Sequence, residues 1–462
     1  MQHMIPCQVI FFGGCFFIWA GICLYFSRSG DMEDIKVKAQ RFIIDKGLDA
    51  ARIDPDRILQ DFISEMEEGL AGRKSSLAMI PPFVCIDKPI PQEKPTIVID
   101  AGGTHLRVAT VTFKKAGKPQ VENFAQQAMP GVERELDKEE FYRQFVQAIL
   151  PVADKAETVG FCFSYPAEIS PAQDGKLLTW SKEIKAPEVQ GSWIGKNIFS
   201  RLAQQGYELE FSLLNDTVAT LLAGKSLVSH ARFESYVGFI LGTGTNTAYV
   251  EQNKNITKRE DLPIEGAMAI NVESGNFGKC PRGPLDEEFD ASTVNPGYNA
   301  FEKMISGAYL GGLCLTVLKA ASREELFSRE AIQWINSLPG LSTAELSDFL
   351  KNPKGATPFF SPAVNPADSD LMVYLLEALV RRAALLAAIN ISAAVIKSGC
   401  GASPKHPVAV NIDGSTFYKT SGLLLQVGRD LKALLGSRGL SYELIHVEDS
   451  PLLGAAVAGL TL

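Results

Sequence analysis

Histidine and paired cysteine are what this chain has least of. Five histidines occur in 462 residues, and the eight cysteines, at positions 7, 15, 23, 85, 162, 280, 314 and 400, include no Cys-x-x-Cys pair. The first scarcity speaks against a histidine-based nucleophile system or a metal cluster, the second against a structural zinc site. Thiols scattered through apolar runs fit buried free cysteines in a reducing compartment. Positive charge is also short: 45 Lys and Arg against 53 Asp and Glu give a net charge of −8 and a pI near 5.4. With no basic stripe carrying interleaved aromatics, bulk nucleic-acid binding is not expected, and small molecules are the expected partners. Solenoid-period repeats and long low-complexity tracts are lacking as well.

One uncharged run stands out, Ile5 to Phe26, whose 22 residues would in principle cross a bilayer. A secretory signal is weakened by the lack of Lys or Arg before it and of a clear small-x-small cleavage site. A membrane anchor would, by the bias of Arg28, leave the following domain on the cytosolic side. In a third reading translation starts downstream, for instance at Met32, and the run is not part of the native protein.

The rest of the chain, 46% hydrophobic and 21% charged, has the composition of a soluble globular protein and length for two or more cores. From Met32 to about Leu77 the pattern is helical, with Ile58, Phe62, Met66 and Leu70 recurring every four residues until Pro81-Pro82. Strands and helices alternate from Ile97 to Phe211, including a hairpin at Asp174-Gly175. A helix Thr217–Leu227, a hairpin Tyr236–Leu241/Thr247–Glu251, a helix Phe301–Leu313, a long helix from Asp370 to Val395 and a strand Val408–Ile412 follow. The fold class is α/β in two lobes.

The turn Asp100-Ala-Gly-Gly-Thr104 lies between two strand-like runs, 96–100 and 106–113. A Walker loop would end in Gly-Lys-Ser/Thr and, like a dinucleotide fingerprint, open a helix. Here β-branched Val108, Thr110, Val111 and Thr112 favour a strand. Such a turn can wrap N–H groups around a phosphate while Asp100 faces the accompanying metal, which suggests ATP; a plain tight hairpin is the other reading. A second glycine-rich hairpin, Gly242-Thr-Gly-Thr-Asn246, hints at two related halves.

Asn215-Asp216 follows an apolar strand and precedes a helix, the strand edge where α/β sites collect. Asp216 reads either as a helix N-cap or as a base that takes the proton of an attacking hydroxyl. Ser164 and Lys182 flank the 174–175 hairpin and could converge on one ligand, the lysine supplying a point charge near a transferring phosphoryl group. Glu273 and Glu302 could bind polyol hydroxyls or stay solvated or facing a helix dipole.

The motifs Asp100-x-Gly-Gly-Thr-x-x-Arg107, Phe163-Ser-Tyr-Pro166, Leu177-Leu-Thr-Trp-Ser-Lys182, Leu214-Asn-Asp-Thr-Val-Ala-Thr220, Gly242-Thr-Gly-Thr-Asn246, Val272-Glu-Ser-Gly-Asn-Phe-Gly278, the stretch Asn295–Gly311 and Asp413-Gly-Ser-x-x-Tyr-Lys419 occur in the order of the eukaryotic-type hexokinase family. From about residue 55 to the end the chain resembles that family. The resemblance implies an actin-like ATPase (ribonuclease H-like) fold of two lobes around a deep cleft. Residues 91–216 would form a small domain, 217–447 a large domain joined by N-terminal helices over 32–90, and 448–462 a helix returning to the small domain. The implied activity is ATP-dependent phosphorylation of the 6-hydroxyl of a hexose, glucose foremost, the opening step of glycolysis, in the cytoplasm.

By the same resemblance Asp216 is the catalytic base and Lys182 its catalytic partner. Ser164, Ser181, Lys182, Asn215, Asp216, Asn246, Glu273 and Glu302 match the hexose pocket. Asp100, Gly102, Gly103, Thr104 and Arg107 match the first phosphate hairpin, Thr243 and Gly244 the second, and Gly414 and Ser415 the nucleotide-side turn. Mg²⁺ is implied with ATP, reached by Asp100 through water.

The chain departs from the family pattern at several positions. His105 replaces an asparagine, Ser181 a threonine, Ser274 a tryptophan and Ala308 a common lysine, while Asp449-Ser-Pro-Leu-Leu453 replaces a glycine-serine-glycine stretch. A catalytically weak sugar sensor or scaffold is the alternative function, but Asp216 and Lys182 are both present. A bacterial-type glucokinase is disfavoured because the zinc-cysteine motif of part of that group has no counterpart here.

Overall fold

The computed structural model describes residues 30–115, 118–180, 184–227, 232–353, 355 and 364–462, with side chains from residue 36 and without that of Leu227. The run Ile5 to Phe26 lies outside them, as do Ser181 and Lys182.

In chain order the strands are β1 (Pro95–Ala101), β2 (His105–Thr112), β3 (Gln120–Ala128), β4 (Thr158–Phe163), β5 (Ala167–Ile169), β6 (Gly175–Leu177) and β7 (Glu210–Leu214), then β8 (Ser235–Leu241), β9 (Thr245–Gln252), β10 (Ala267–Asn271), β11 (Val408–Asp413) and β12 (Tyr442–Ile445). Ten of them build two five-stranded sheets of equivalent order, β3-β2-β1-β4-β7 and β10-β9-β8-β11-β12, while β5 and β6 pair antiparallel as a separate two-stranded ribbon. In each five-stranded sheet, an antiparallel meander is followed by two parallel strands. This duplicated α/β unit is the actin-like ATPase arrangement that the resemblance implies.

Alternation along β1 shows how the layers assemble. Ile97 and Ile99 enter a core with Phe141 and Phe145 of the helix Lys138–Ile149 and Ile198 of the helix Ile194–Ala203. Val98, on the opposite face, joins Val218, Leu221 and Leu222 of the helix Asp216–Leu227 and Leu452 and Val457 of the helix Ser450–Leu460. Successive residues of a strand point to opposite faces, so an uninterrupted apolar run marks burial on both sides. The core around Val98 also takes in Tyr236, Ala248 and Ala409 of the second sheet. The two helices are therefore sandwiched between the sheets and couple them.

Their contacts are backbone-close. A Cβ on Gly160 of β4 would lie 1.7 Å from the Ala455 carbonyl oxygen, and one on Gly454 1.8 Å from that of Ala219. The helix Pro366–Lys397, apolar enough by composition to cross a membrane, is mostly buried. Its residues Leu375, Leu379 and Leu386 belong to the core of the second lobe.

The helical pattern expected over Met32–Leu77 divides into two helices, Gly30–Asp45 and Pro55–Leu70. Gly47 adopts φ +69°, a left-handed conformation that ends the first. The second is started by Asp54, whose Oδ1 accepts from the N–H groups of Asp56 and Arg57, with Pro55 at the first helical position.

Candidate active site

The first hairpin is held from behind. Asp100, buried at the end of β1, faces Arg107 in the β1/β2 register, and the guanidinium lies 3.3 Å from its carboxylate. In the turn, the Gly102 N–H donates to the His105 carbonyl at 3.0 Å. Around it, the Tyr165 hydroxyl donates to the Gly102 carbonyl at 2.6 Å, Met129 N–H to that of Thr104 at 2.9 Å, and Ser164 N–H to that of Ala101 at 3.2 Å. Satisfying these carbonyls from the protein side lowers the repulsion an anion would meet at the turn. His105, in place of the family's asparagine, sits with Nδ1 2.8 Å from the Thr104 hydroxyl.

The second hairpin joins β8 to β9 and is braced by two later segments. Gly307 and Ala308 donate backbone N–H groups to the carbonyls of Gly242 (2.8 Å) and Thr243 (3.0 Å), and the Thr416 hydroxyl donates to Gly242 at 2.8 Å. This contact corrects the helix expected over Phe301–Leu313. The chain forms Ala300–Ile305 and Leu310–Arg323, broken where the intervening residues turn their donors to the hairpin. Gly414, at φ +113°, closes the same corner, since a Cβ there would lie 2.3 Å from the Leu241 carbonyl oxygen. Thr243, Gly244, Gly414 and Ser415 are thus gathered at the C-terminal ends of the inner strands β8 and β11.

Asn215 and Asp216 open the helix between the sheets. Asn215 Oδ1 accepts from Thr217 N–H at 2.9 Å, so capping falls to Asn215 rather than Asp216, whose carboxylate accepts from the Thr217 hydroxyl at 3.2 Å. Asn246, Glu273 and Glu302 meet on the second lobe. Asn271 Nδ2 donates to Glu273 at 2.7 Å, Asn246 Nδ2 to Asn271 Oδ1 at 2.7 Å, and Thr245 N–H to Glu302 at 2.9 Å. Asn215, Asn271 and Glu273 line a common cavity with Tyr165 and Phe163 of the first lobe.

Electrostatics link these groups. Burial raises the pKa of Glu273, and the charges of Asp216 and Glu302 add to the rise. Burial likewise pushes the Cys162 thiol up, with Asp100 and Asp216 contributing. Asp413 is raised by burial and further by Asp216. One carboxylate, that of Asp216, therefore acts on the sheet carrying the first hairpin, on the Glu273 cluster and on the corner beside Gly414.

Because its folded-state pKa is raised, Glu273 binds its proton more tightly in the native than in the unfolded chain. Its ionisation costs stability, absent below the ordinary glutamate range and fully present above the raised pKa. Glu273→Gln should therefore melt higher than wild type at neutral pH. The gap should close as pH falls, which thermal scans across pH will check.

Asn271, which ties Asn246 to Glu273, was not singled out from the sequence. Its signal is an amide at the end of an apolar strand, Ala-Met-Ala-Ile-Asn271, where a buried polar group needs partners. Asp413 opens the Asp-Gly-Ser motif without a role of its own in the sequence, and burial beside Asp216 draws it into the site.

A family described as Hexokinase matches residues 44–226 with one of its two models and 236–461 with the other. Glucokinase-1 of Kluyveromyces lactis is 31% identical over 421 residues, covering 79% of this chain and 86% of the relative. The chain belongs to the hexokinase family. Hexokinase-2 of Candida albicans is 33% identical over 288 residues, 58% of either chain, so the hexokinase match spans little more than half of that relative. The hexokinase of Schistosoma mansoni, solved with glucose, superposes with a TM-score of 0.76 over 93% of this chain and 100% of its own, at 24% identity. That likeness confirms the hexokinase fold.

Proposed function

We propose that this family member is an ATP-dependent hexokinase that transfers the γ-phosphoryl group to the 6-hydroxyl of a hexose, glucose foremost, giving hexose 6-phosphate and ADP. The observation that carries the reading is Asp216: it starts the helix shared by both sheets, and its charge acts on Glu273 on one side and Asp413 on the other. A base there can remove the hydroxyl proton as the oxygen attacks phosphorus. Ser164, Asn215, Asn246, Glu273 and Glu302, with Ser181 and Lys182 by resemblance, hold the sugar. Asp100, Gly102, Gly103, Thr104, Arg107, Thr243 and Gly244 face the phosphates, and Gly414 and Ser415 form the nucleotide-side turn.

Among the described residues no group of three or more His, Cys, Asp or Glu could hold a metal alone, and Asp100 is already engaged by Arg107. This donor set fits Mg²⁺ carried mainly by phosphates and water, with Asp100 as an outer partner. When bound, the ion would supply charge neutralisation on the phosphates. Sugar binding would close the lobes and complete the site, protecting ATP from water. We place this activity in the cytosol.

ADP release over a panel of hexoses, with the product identified as the 6-phosphate, tests the reading. Turnover dependent on hexose is expected. Hexose binding without ADP release would replace the kinase reading by a sensor.

A further inference from the structure

The serine that stands where the family pattern has a tryptophan is fully buried, and its hydroxyl belongs to a closed ring of hydrogen bonds. Asn390, in the helix Pro366–Lys397, donates Nδ2 to the Ser274 oxygen at 3.0 Å. The Thr247 hydroxyl donates to Asn390 Oδ1 at 2.8 Å, and the Ser274 and Thr247 oxygens are 3.2 Å apart. An amide oxygen can only accept, so the Thr247 proton is committed to Asn390 and the Ser274 proton to Thr247. Each group donates and accepts head to tail, an arrangement whose bonds polarise one another. All three residues are 0% exposed.

The ring adjoins the sugar-side residues. Asn246 Oδ1 accepts from the backbone N–H groups of ring members Thr247 (2.7 Å) and Ser274 (3.2 Å). This fixes the Asn246 amide, whose Nδ2 points to Asn271 and, at 3.5 Å, to Glu273. Glu273 itself, immediately before Ser274, has φ +59° and ψ +48°. A glutamate in the left-handed region is strained and persists only when its surroundings over-determine it.

We infer that Asn390 is a positioning residue of the hexose pocket, holding Glu273 and Asn246 in place through Ser274 and Thr247. The inference rests on the proposed hexokinase reading for the identity of the ligand. The amide lies in an otherwise apolar stretch, Leu385-Leu-Ala-Ala-Ile-Asn-Ile391, where a buried polar group needs partners. The ring gives it a function there. Breaking the ring frees the Glu273 loop to relax and misplaces two hydroxyl-binding groups, while the phosphate hairpins keep their own supports.

Asn390→Ala, Ser274→Ala and Thr247→Val test this by steady-state kinetics with glucose and ATP, and by calorimetric glucose binding, which needs no turnover. Each should raise the glucose KM and Kd by about tenfold, the size of one lost hydrogen bond, with the ATP KM within about twofold. Asn390→Ala combined with Ser274→Ala should cost little more than either alone, because one cut opens the ring. Leu376→Ala, in the same helix and core but roughly 21 Å from Asn390 along its axis, should lower the melting temperature and leave the glucose KM unchanged. An unchanged glucose Kd in Asn390→Ala, or an equal rise in Leu376→Ala, overturns the inference. A wild type that binds glucose without phosphorylating it sinks the kinase reading, with the Kd series still deciding the role of Asn390. A wild type that binds no hexose overturns both.

Discussion

Asp216→Asn should lower kcat by a factor of about 10²–10⁴ while changing hexose affinity little. The substitution keeps size and removes the carboxylate charge, and with it the ability to take a proton. The fold around it should hold, because the helix start is capped by Asn215 and the Thr217 hydroxyl can donate to an amide oxygen as it does to the carboxylate. The neighbours should also respond. Losing the negative charge removes one cause of the raised pKa of Glu273 and Asp413. Stability at neutral pH should therefore not fall, and the defect should lie in kcat rather than KM. Kinetics with calorimetric hexose binding will separate the two, and a kcat within tenfold of wild type would remove Asp216 from the role of base.

Gly160→Ala should carry a large stability cost, since among the described glycines a Cβ here meets the shortest contact. The new Cβ would lie 1.7 Å from the Ala455 carbonyl oxygen and 2.3 Å from its carbon. Neither neighbour is the end of a flexible side chain: both belong to the backbone of the helix Ser450–Leu460. The helix would have to leave β4, opening the core that includes Val98, Cys162, Leu452 and Val457. Overpacking typically costs about 1–3 kcal/mol and occasionally more, and a clash with helix backbone puts this change at the upper end. The same helix packs on Asp216–Leu227 through Gly454, so displacement should also disturb the relation between the lobes and lower kcat. A thermal midpoint within about 2 °C of wild type would show that the contact is softer than described.

The two-lobed fold was legible because its signals are local. The apolar runs of β1 and β8 end in glycine-rich turns, and their near-continuous burial on both faces follows from the unbroken apolar residues themselves. Breaks in helices were not legible where distant partners impose them. Nothing within Phe301–Leu313 announces that Gly307 and Ala308 will donate to Gly242 and Thr243. The site was readable residue by residue in its motifs, but not in its supports. Asn271 and Asn390 are single amides in apolar stretches, and the partners Asn246 and Ser274 come from far along the chain. Likewise the capping by Asn215 becomes plain only once the Thr217 N–H is seen to point at its side chain.

In the proposed reaction the cleft delivers a sugar 6-hydroxyl to ATP and Asp216 removes its proton. ADP release in the presence of 6-deoxyglucose, compared with glucose and with no sugar, tests it most directly. 6-Deoxyglucose should bind in competition with glucose but raise ADP release no more than water in the vacant hydroxyl position allows, far below the glucose rate. ADP release with 6-deoxyglucose equal to that with glucose would contradict the proposed reaction.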